Sequence, residues 1–151
     1  MIRHQYERSF RGKRKDNGEW VEGFYVCLSN HACFANQLRY KHYIVRDVCL
    51  DFNLGGAEEV EVVPETVGQY TGLKDKNGRR IFEDDIVEVE YNANYGGIAK
   101  QRIGIFQVEL HNGCFMKRRE GDAYYLFCPT DVHTIIGNIH DNPDMKESVK
   151  K

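Results

Sequence analysis

Strand signals dominate this chain, and in two segments apolar residues recur at every second position, the period of a strand with one covered face. In Ile86-Val87-Glu88-Val89-Glu90-Tyr91, one face carries Val87, Val89 and Tyr91 and the other carries Glu88 and Glu90. Phe106, Val108 and Leu110 alternate in the same way with Gln107 and Glu109; Asn112-Gly113 follows and Cys114-Phe115-Met116 returns, which reads as a hairpin. Strands are also predicted at 20–28, 43–50, 59–63 and 134–139, and the continuous apolar run Tyr124-Tyr125-Leu126-Phe127-Cys128 predicts a strand in a covered sheet. Helical periodicity is weak. One short helix is predicted between Ser29 and Tyr40, with Ser29 or Asn30 as its cap.

Turn chemistry divides these strands. Lys15-Asp16-Asn17-Gly18 and Lys74-Asp75-Lys76-Asn77-Gly78 share an Asn-Gly step that tolerates positive φ, and each leads through charged residues into an apolar strand. Gly55-Gly56 and Gly96-Gly97 read as mobile turns between strands, since neither has the spacing or the lysine of a phosphate loop. Pro64 and Gly68 bracket a boundary, giving an N-terminal β region over 1–68, a C-terminal β region over 69–141 and a polar tail over 142–151 that is expected to fray. About five strand signals in roughly 70 residues of the C-terminal part favour a small barrel or sandwich over an α/β layer. The N-terminal strands are expected to extend or cover it.

Hydrophobic residues make up 41% of the 151 residues, enough for a core and against global disorder. With 21 basic and 23 acidic residues, the chain lacks the basic excess usual in duplex-binding proteins. No apolar run approaches the roughly 20 residues that cross a bilayer, and the opening Met1-Ile2-Arg3-His4-Gln5 has no signal-peptide core. A cytoplasmic protein without membrane contact is expected. The five cysteines form an odd set without a Cys-x-x-Cys pair, which points to reduced thiols, mostly serving as small buried hydrophobes.

Three segments, in order, resemble the YopX family of phage and prophage proteins. Phe10-Arg11-Gly12-Lys13-Arg14 leads into Asp16-Asn17-Gly18-Glu19-Trp20-Val21-Glu22-Gly23; Gln69 to Val87 is similar to the family's central turn-and-strand signature; Ile136-Gly137-Asn138-Ile139-His140-Asp141-Asn142-Pro143 is similar to its closing motif. Asp84 departs from the pattern, standing where a glycine is common before Asp85, though Asp tolerates positive φ better than most residues. The resemblance implies a mainly β protein: an N-terminal β extension packed with a C-terminal SH3-like small barrel, encoded by a phage or prophage in a bacterial host and able to self-associate. It supplies no catalytic residues.

Candidate chemistry is sparse. Glu83-Asp84-Asp85 is the densest acidic cluster, but adjacent residues beside a strand diverge, and a solvated turn is expected in place of a hard-cation site. Cys27, His31 and Cys33, with Cys49 or His42 as a fourth ligand, match no zinc-finger spacing, so no metal or cofactor is expected. Cys114 with His111, or Cys128 with His133, lacks a nucleophile motif, and both thiols are expected to pack; the chain is not expected to be an enzyme. Arg11, Lys13, Arg14 and Lys15 lie near Phe10 and Trp20; Arg79 and Arg80, with Lys74 and Lys76, form a second basic turn near Tyr70; Lys117-Arg118-Arg119 is a third basic group. Arg11, Lys13, Arg14, Trp20, Tyr70, Arg79 and Arg80 are therefore the candidate binding residues. Exposed aromatic and arginine side chains are the usual anchors of protein interfaces. A protein partner or self-association is expected, and the alternative is single-stranded nucleic acid held by stacking and charge.

Overall fold

The computed structural model describes residues 9–30, 39–50, 54–91, 101–119, 123–145 and 149. The chain divides into two compact units, Met1–Gln69 and Tyr70–Lys151. The protein is mainly β, as the alternation predicts, and its strands pair antiparallel.

In the first unit, β1 (Phe10–Lys13), β2 (Trp20–Asn30), β3 (Arg39–Leu50) and β4 (Leu54–Glu61) lie in the order β4-β3-β2-β1. The first residues of β5 (Gly68–Lys74) pair with the other edge of β1, Gln69 opposite Phe10. After β4 the chain comes back to the end of β1. Arg14 bridges Val62, the Lys15 N–H donates to the Glu61 carbonyl at 3.0 Å, and the Val63 N–H donates to the Lys13 carbonyl at 2.8 Å. A 3-10 turn at Pro64–Thr66 then places the Thr66 hydroxyl to accept the Lys13 N–H at 2.8 Å. The sheet thus closes on itself at this end, around a core of Val21, Ile44, Val60 and Val62 with Phe10, Tyr25 and Val67 against it.

Two sequence expectations are corrected here. The helix predicted between Ser29 and Tyr40 does not include its ends: Ser29 and Asn30 close β2, opposite Tyr40 and Arg39 of β3. Residues 31–38 lie outside the described residues. Gly55 and Gly56 are not a turn but strand residues of β4, opposite Cys49 and Val48; the Gly96-Gly97 turn falls outside the described residues.

In the second unit, the end of β5 pairs with β6 (Arg80–Phe82), Tyr70 opposite Phe82. β7 (Asp85–Tyr91), β8 (Gln101–His111), β9 (Cys114–Arg119) and β10 (Ala123–Leu126) form a meander, and β11 (Asp131–Asn138) returns to pair with β7. Asn112 (φ 50°) and Gly113 (φ 82°) make the predicted two-residue hairpin turn, where both central residues must be left-handed. The register slips at Ile103 and at Ile136, and such bulges bend and twist a sheet. Its core is Ile81, Val87, Val89, Phe106 and Val108, with Phe127 and Ile135 packed on them. Closure of this sheet as an SH3-like barrel rests on the family resemblance alone.

The apolar run at 124–128 is not a covered strand. β10 is a short strand with one partner, and Leu126 stays 67% exposed. In the tail expected to fray, Val149 is buried, its N–H donating to the Met145 carbonyl at 3.3 Å.

Gly23 marks the tightest backbone approach in the first unit. A Cβ there would sit 2.3 Å from the Val45 carbonyl oxygen and 2.9 Å from Ile44 Cγ2. Because β2 and β3 are paired at that point, neither can retreat cheaply. Gly23→Ala is expected to destabilise the first unit by about 3 kcal/mol, read as a lower urea midpoint; an unchanged midpoint would show that the strands can spread.

Candidate functional site

The outward face of the first unit is built by strand alternation. Arg11 and Lys13 of β1 stand opposite Glu22 and Trp20 of β2. The Arg11 guanidinium carbon lies 4.6 Å from the Trp20 ring centroid and the Lys13 ammonium 5.5 Å, within cation–π range. Along β2 the same face continues through Phe24, Val26 and Leu28, opposite Val45, Tyr43 and Lys41 of β3. Phe24 is 57% exposed and Leu28 49%. An apolar band of Phe24, Val26 and Leu28 therefore runs along the hairpin, separated from the Trp–Arg–Lys cluster by the exposed Glu22 of the same face.

Of the other predicted residues, Arg14 turns back on its own loop, donating from Nε and Nη2 to Asp16 at 2.9 and 2.7 Å. In the second unit, the Arg80 guanidinium lies 5.3 Å from the Tyr70 ring, which packs on Phe82 at 5.5 Å. Arg79 is held from beneath. Its Nε and Nη2 donate to Asp75 Oδ2 at 3.0 and 2.8 Å, and Nη2 also donates to the Ile135 carbonyl at 2.5 Å. Arg11, Lys13, Arg14 and Trp20 belong to one unit and Tyr70, Arg79 and Arg80 to the other.

The Asp75 side chain is wholly buried. It accepts the Asn77 and Arg79 N–H groups at 2.8 and 2.9 Å and the Ile135 N–H at 3.3 Å. Burial alone would raise this carboxyl; the hydrogen bonds from Arg79, Ile135 and Asn77 outweigh it and hold the group at about 2. The acidic cluster diverges as expected, but it is more than a solvated turn. Asp85 is buried and accepts the Phe82 N–H at 2.8 Å. Asp84 adopts φ 67°, the left-handed conformation that a glycine would favour, and its carboxylate meets Gln107 Nε2 at 3.1 Å and His140 Nε2 at 3.1 Å. Asn138 accepts the His140 and Asp141 N–H groups at 3.0 and 2.9 Å, folding the closing motif. The signature residues thus secure turns.

Sequence reading missed a buried polar cluster. Lys117, read as part of a basic surface group, is only 3% exposed. It forms an ion pair with Asp131, and its ammonium lies 5.8 and 5.4 Å from the Phe106 and Phe127 rings. Its position opposite Val108 was the available clue, since cross-strand partners share a face. His133 is buried with its ring 5.0 Å from that of Phe127, and Nε2 has no hydrogen-bond partner. Burial first, then the Lys117 charge, push its imidazole down to about 4, against the pull of Asp131.

The cysteines also depart from expectation. Cys27, Cys114 and Cys128 are exposed free thiols, because each sits on a projecting hairpin or a turn and not on a covered strand. Cys128 hydrogen-bonds the Thr130 hydroxyl at 3.0 Å, which holds its thiol below the ordinary value. Cys114 stands opposite His111, whose ring stacks on Tyr124 at 4.0 Å. Of the soft-ligand set, Cys27 lies directly opposite His42, while His31 and Cys33 fall outside the described residues. No group of three or more His, Cys, Asp or Glu able to hold a metal occurs among the described residues, and no helix there is long and apolar enough to cross a membrane.

Fold and turns together define a small all-β protein of two units, each built from antiparallel strands. The chain belongs to the YopX family, whose model, described as YopX protein, matches residues 9–146. Among solved structures, protein EF1440 from Enterococcus faecalis is similar, with a TM-score of 0.50 and 24% sequence identity over 91% of this chain and 96% of that one. That likeness shows the fold. None of the curated proteins matches the chain.

Two stability predictions follow from the buried groups. Asp75→Ala removes the acceptor of three main-chain N–H groups and of the Arg79 guanidinium, and is expected to cost about 3 kcal/mol, whereas Arg80→Ala costs less than about 1 kcal/mol; urea melts compare them. For His133 the folded value lies below the ordinary 6.5, so the unfolded chain takes up the proton first. Its contribution is complete above about pH 6.5 and is lost as pH falls toward 4, by up to about 3 kcal/mol. His133→Phe is expected to flatten that slope; an equal slope in both proteins would place the acid sensitivity elsewhere.

Proposed function

We propose that this YopX-family protein works by binding a protein partner, a second copy of itself included, and performs no catalysis. It acts in the cytoplasm of a bacterium that carries a phage or prophage. The exposed band Phe24-Val26-Leu28 beside the Arg11–Lys13–Trp20 cluster carries this reading. Protein interfaces centre on such aromatic and arginine anchors, with apolar surface at the middle and charge at the rim.

The alternative, single-stranded nucleic acid, draws on the same Arg11, Lys13 and Trp20. It is the weaker reading because Arg79 and Arg14 are engaged by Asp75 and Asp16, and because the cations already occupy the indole ring that bases would stack on.

Light scattering after size exclusion tests the reading. The wild-type chain is expected to exceed 17.6 kDa or to retain a protein in a host-extract pull-down. Phe24→Asp with Leu28→Asp, on exposed positions, is expected to weaken either association at least about tenfold, ~1.4 kcal/mol. Association untouched by the double substitution, or retention of single-stranded DNA that falls with salt and with Arg11→Ala, would overturn it.

A further inference from the structure

We infer that Asn112 is a site of spontaneous modification, at which the Gly113 amide nitrogen displaces the side-chain amide and turns the tip of the β8–β9 hairpin acidic. The inference concerns the second unit and stands apart from the proposed binding band. Any Asn-Gly step is open to this reaction in principle, because glycine has no side chain to shield its amide nitrogen. The chain has three such steps, Asn17-Gly18, Asn77-Gly78 and Asn112-Gly113. All three asparagines are exposed, and nothing lies within 4 Å of a Cβ built on Gly18, Gly78 or Gly113. Space and local sequence therefore treat them alike.

Hydrogen bonding separates them. At the first step the Gly18 N–H donates to the Arg14 carbonyl at 3.0 Å. The Asn17 side chain is held at both ends: Nδ2 donates to Glu19 Oε2 at 2.9 Å, and Oδ1 accepts the Glu19 N–H at 3.0 Å. At the second step the Gly78 N–H donates to the Asp75 carbonyl at 2.9 Å. The Asn77 N–H is fixed on Asp75 Oδ1 at 2.8 Å, and Nδ2 reaches Asp75 Oδ2 at 3.4 Å. At the third step no hydrogen bond among the described residues engages the Asn112 side chain or the Gly113 N–H. The turn geometry explains this. A two-residue hairpin loop closes through its flanking pair, here His111 opposite Cys114, and leaves its two left-handed central residues outside the ladder. An amide nitrogen whose N–H is engaged cannot attack until that bond breaks, and a pinned carboxamide cannot turn onto it. Each such bond slows the reaction about tenfold.

The step balances. The Gly113 nitrogen attacks Asn112 Cγ and gives its proton to solvent. The Cγ–Nδ2 bond breaks, and Nδ2 leaves as ammonia with a solvent proton. Water then opens the five-membered imide at either carbonyl, giving aspartate, or isoaspartate with the main chain running through the side-chain carbon. One water is consumed, one ammonia is released, and no oxidant is needed. Either product adds one negative charge to a chain of formal net charge -2. Isoaspartate also lengthens a turn that fits two left-handed residues, so it opens the His111–Cys114 end of the hairpin.

The native full-length chain, kept at mildly alkaline pH with and without strong urea, tests the inference, with conversion at each asparagine followed by peptide mass mapping. In the native chain Asn112 is expected to convert at least about tenfold faster than Asn17 and Asn77. In urea the three rates should converge, because the turn bonds are gone. Glu19→Ala, which releases Asn17 Nδ2, is expected to speed Asn17 and leave Asn112 unchanged. A native lead of less than about tenfold would show that the turn bonds protect little. A lead that persists undiminished in urea would show that neighbouring residues alone set the order. Either result overturns the inference.

Discussion

A buried carboxylate that must satisfy main-chain amides is the constraint on which the second unit is built. Asp75 gathers the Asn77, Arg79 and Ile135 N–H groups, with Arg79 closing over it from outside. It therefore shapes its own turn and pins that turn to β11, which is distant in sequence and forms one edge of the sheet through its pairing with β7. Asp85 and Asp84 repeat the device one turn later. The first holds the Phe82 amide, and the second accepts the strained left-handed backbone because Gln107 and His140 bind its carboxylate. Buried charge of this kind is tolerable only when hydrogen bonds replace the lost water.

This has a consequence for function. The most recognisable stretch of the chain, from Gln69 to Val87, is largely occupied in holding turns and strands, and Asp75, Arg79, Asp84 and Asp85 have partners within the fold. Other surfaces carry no such demand from the fold. The outward face of β2 and β3 is one: strand periodicity places Phe24, Val26 and Leu28 there, and the first unit's core closes without them. The opposite face of that hairpin carries Tyr25 and His42, whose hydroxyl and Nδ1 meet at 2.5 Å.

Much of the architecture was legible in the chain itself. Period-two alternation located β7 and β8, and Asn112-Gly113 announced its hairpin because two left-handed residues satisfy the turn. The candidate site was legible in part. Arg11, Lys13 and Trp20 do converge, since β1 and β2 are joined by a short turn and pair in register. Arg79 looked like surface charge because nothing local shows that Asp75 is buried beneath it, and Ser29 and Asn30, read as a helix cap, are strand residues paired with β3.

Sequence by itself determined the class of the protein, the sites of its turns and which residues share a face, because these follow from steric limits on neighbouring residues and from the two-residue strand period. Tertiary structure alone decided which faces are covered. Alternation says that Lys117 and Val108 point the same way, but only the packing of Phe106 and Phe127 over them, with Asp131 brought in from β11, turns an apparently basic surface into a buried ion pair. The same holds for Cys27 and His42, whose meeting depends on a register set by the whole hairpin. Burial and partnership are properties of residues far apart in the chain, and no local pattern encodes the distance between them.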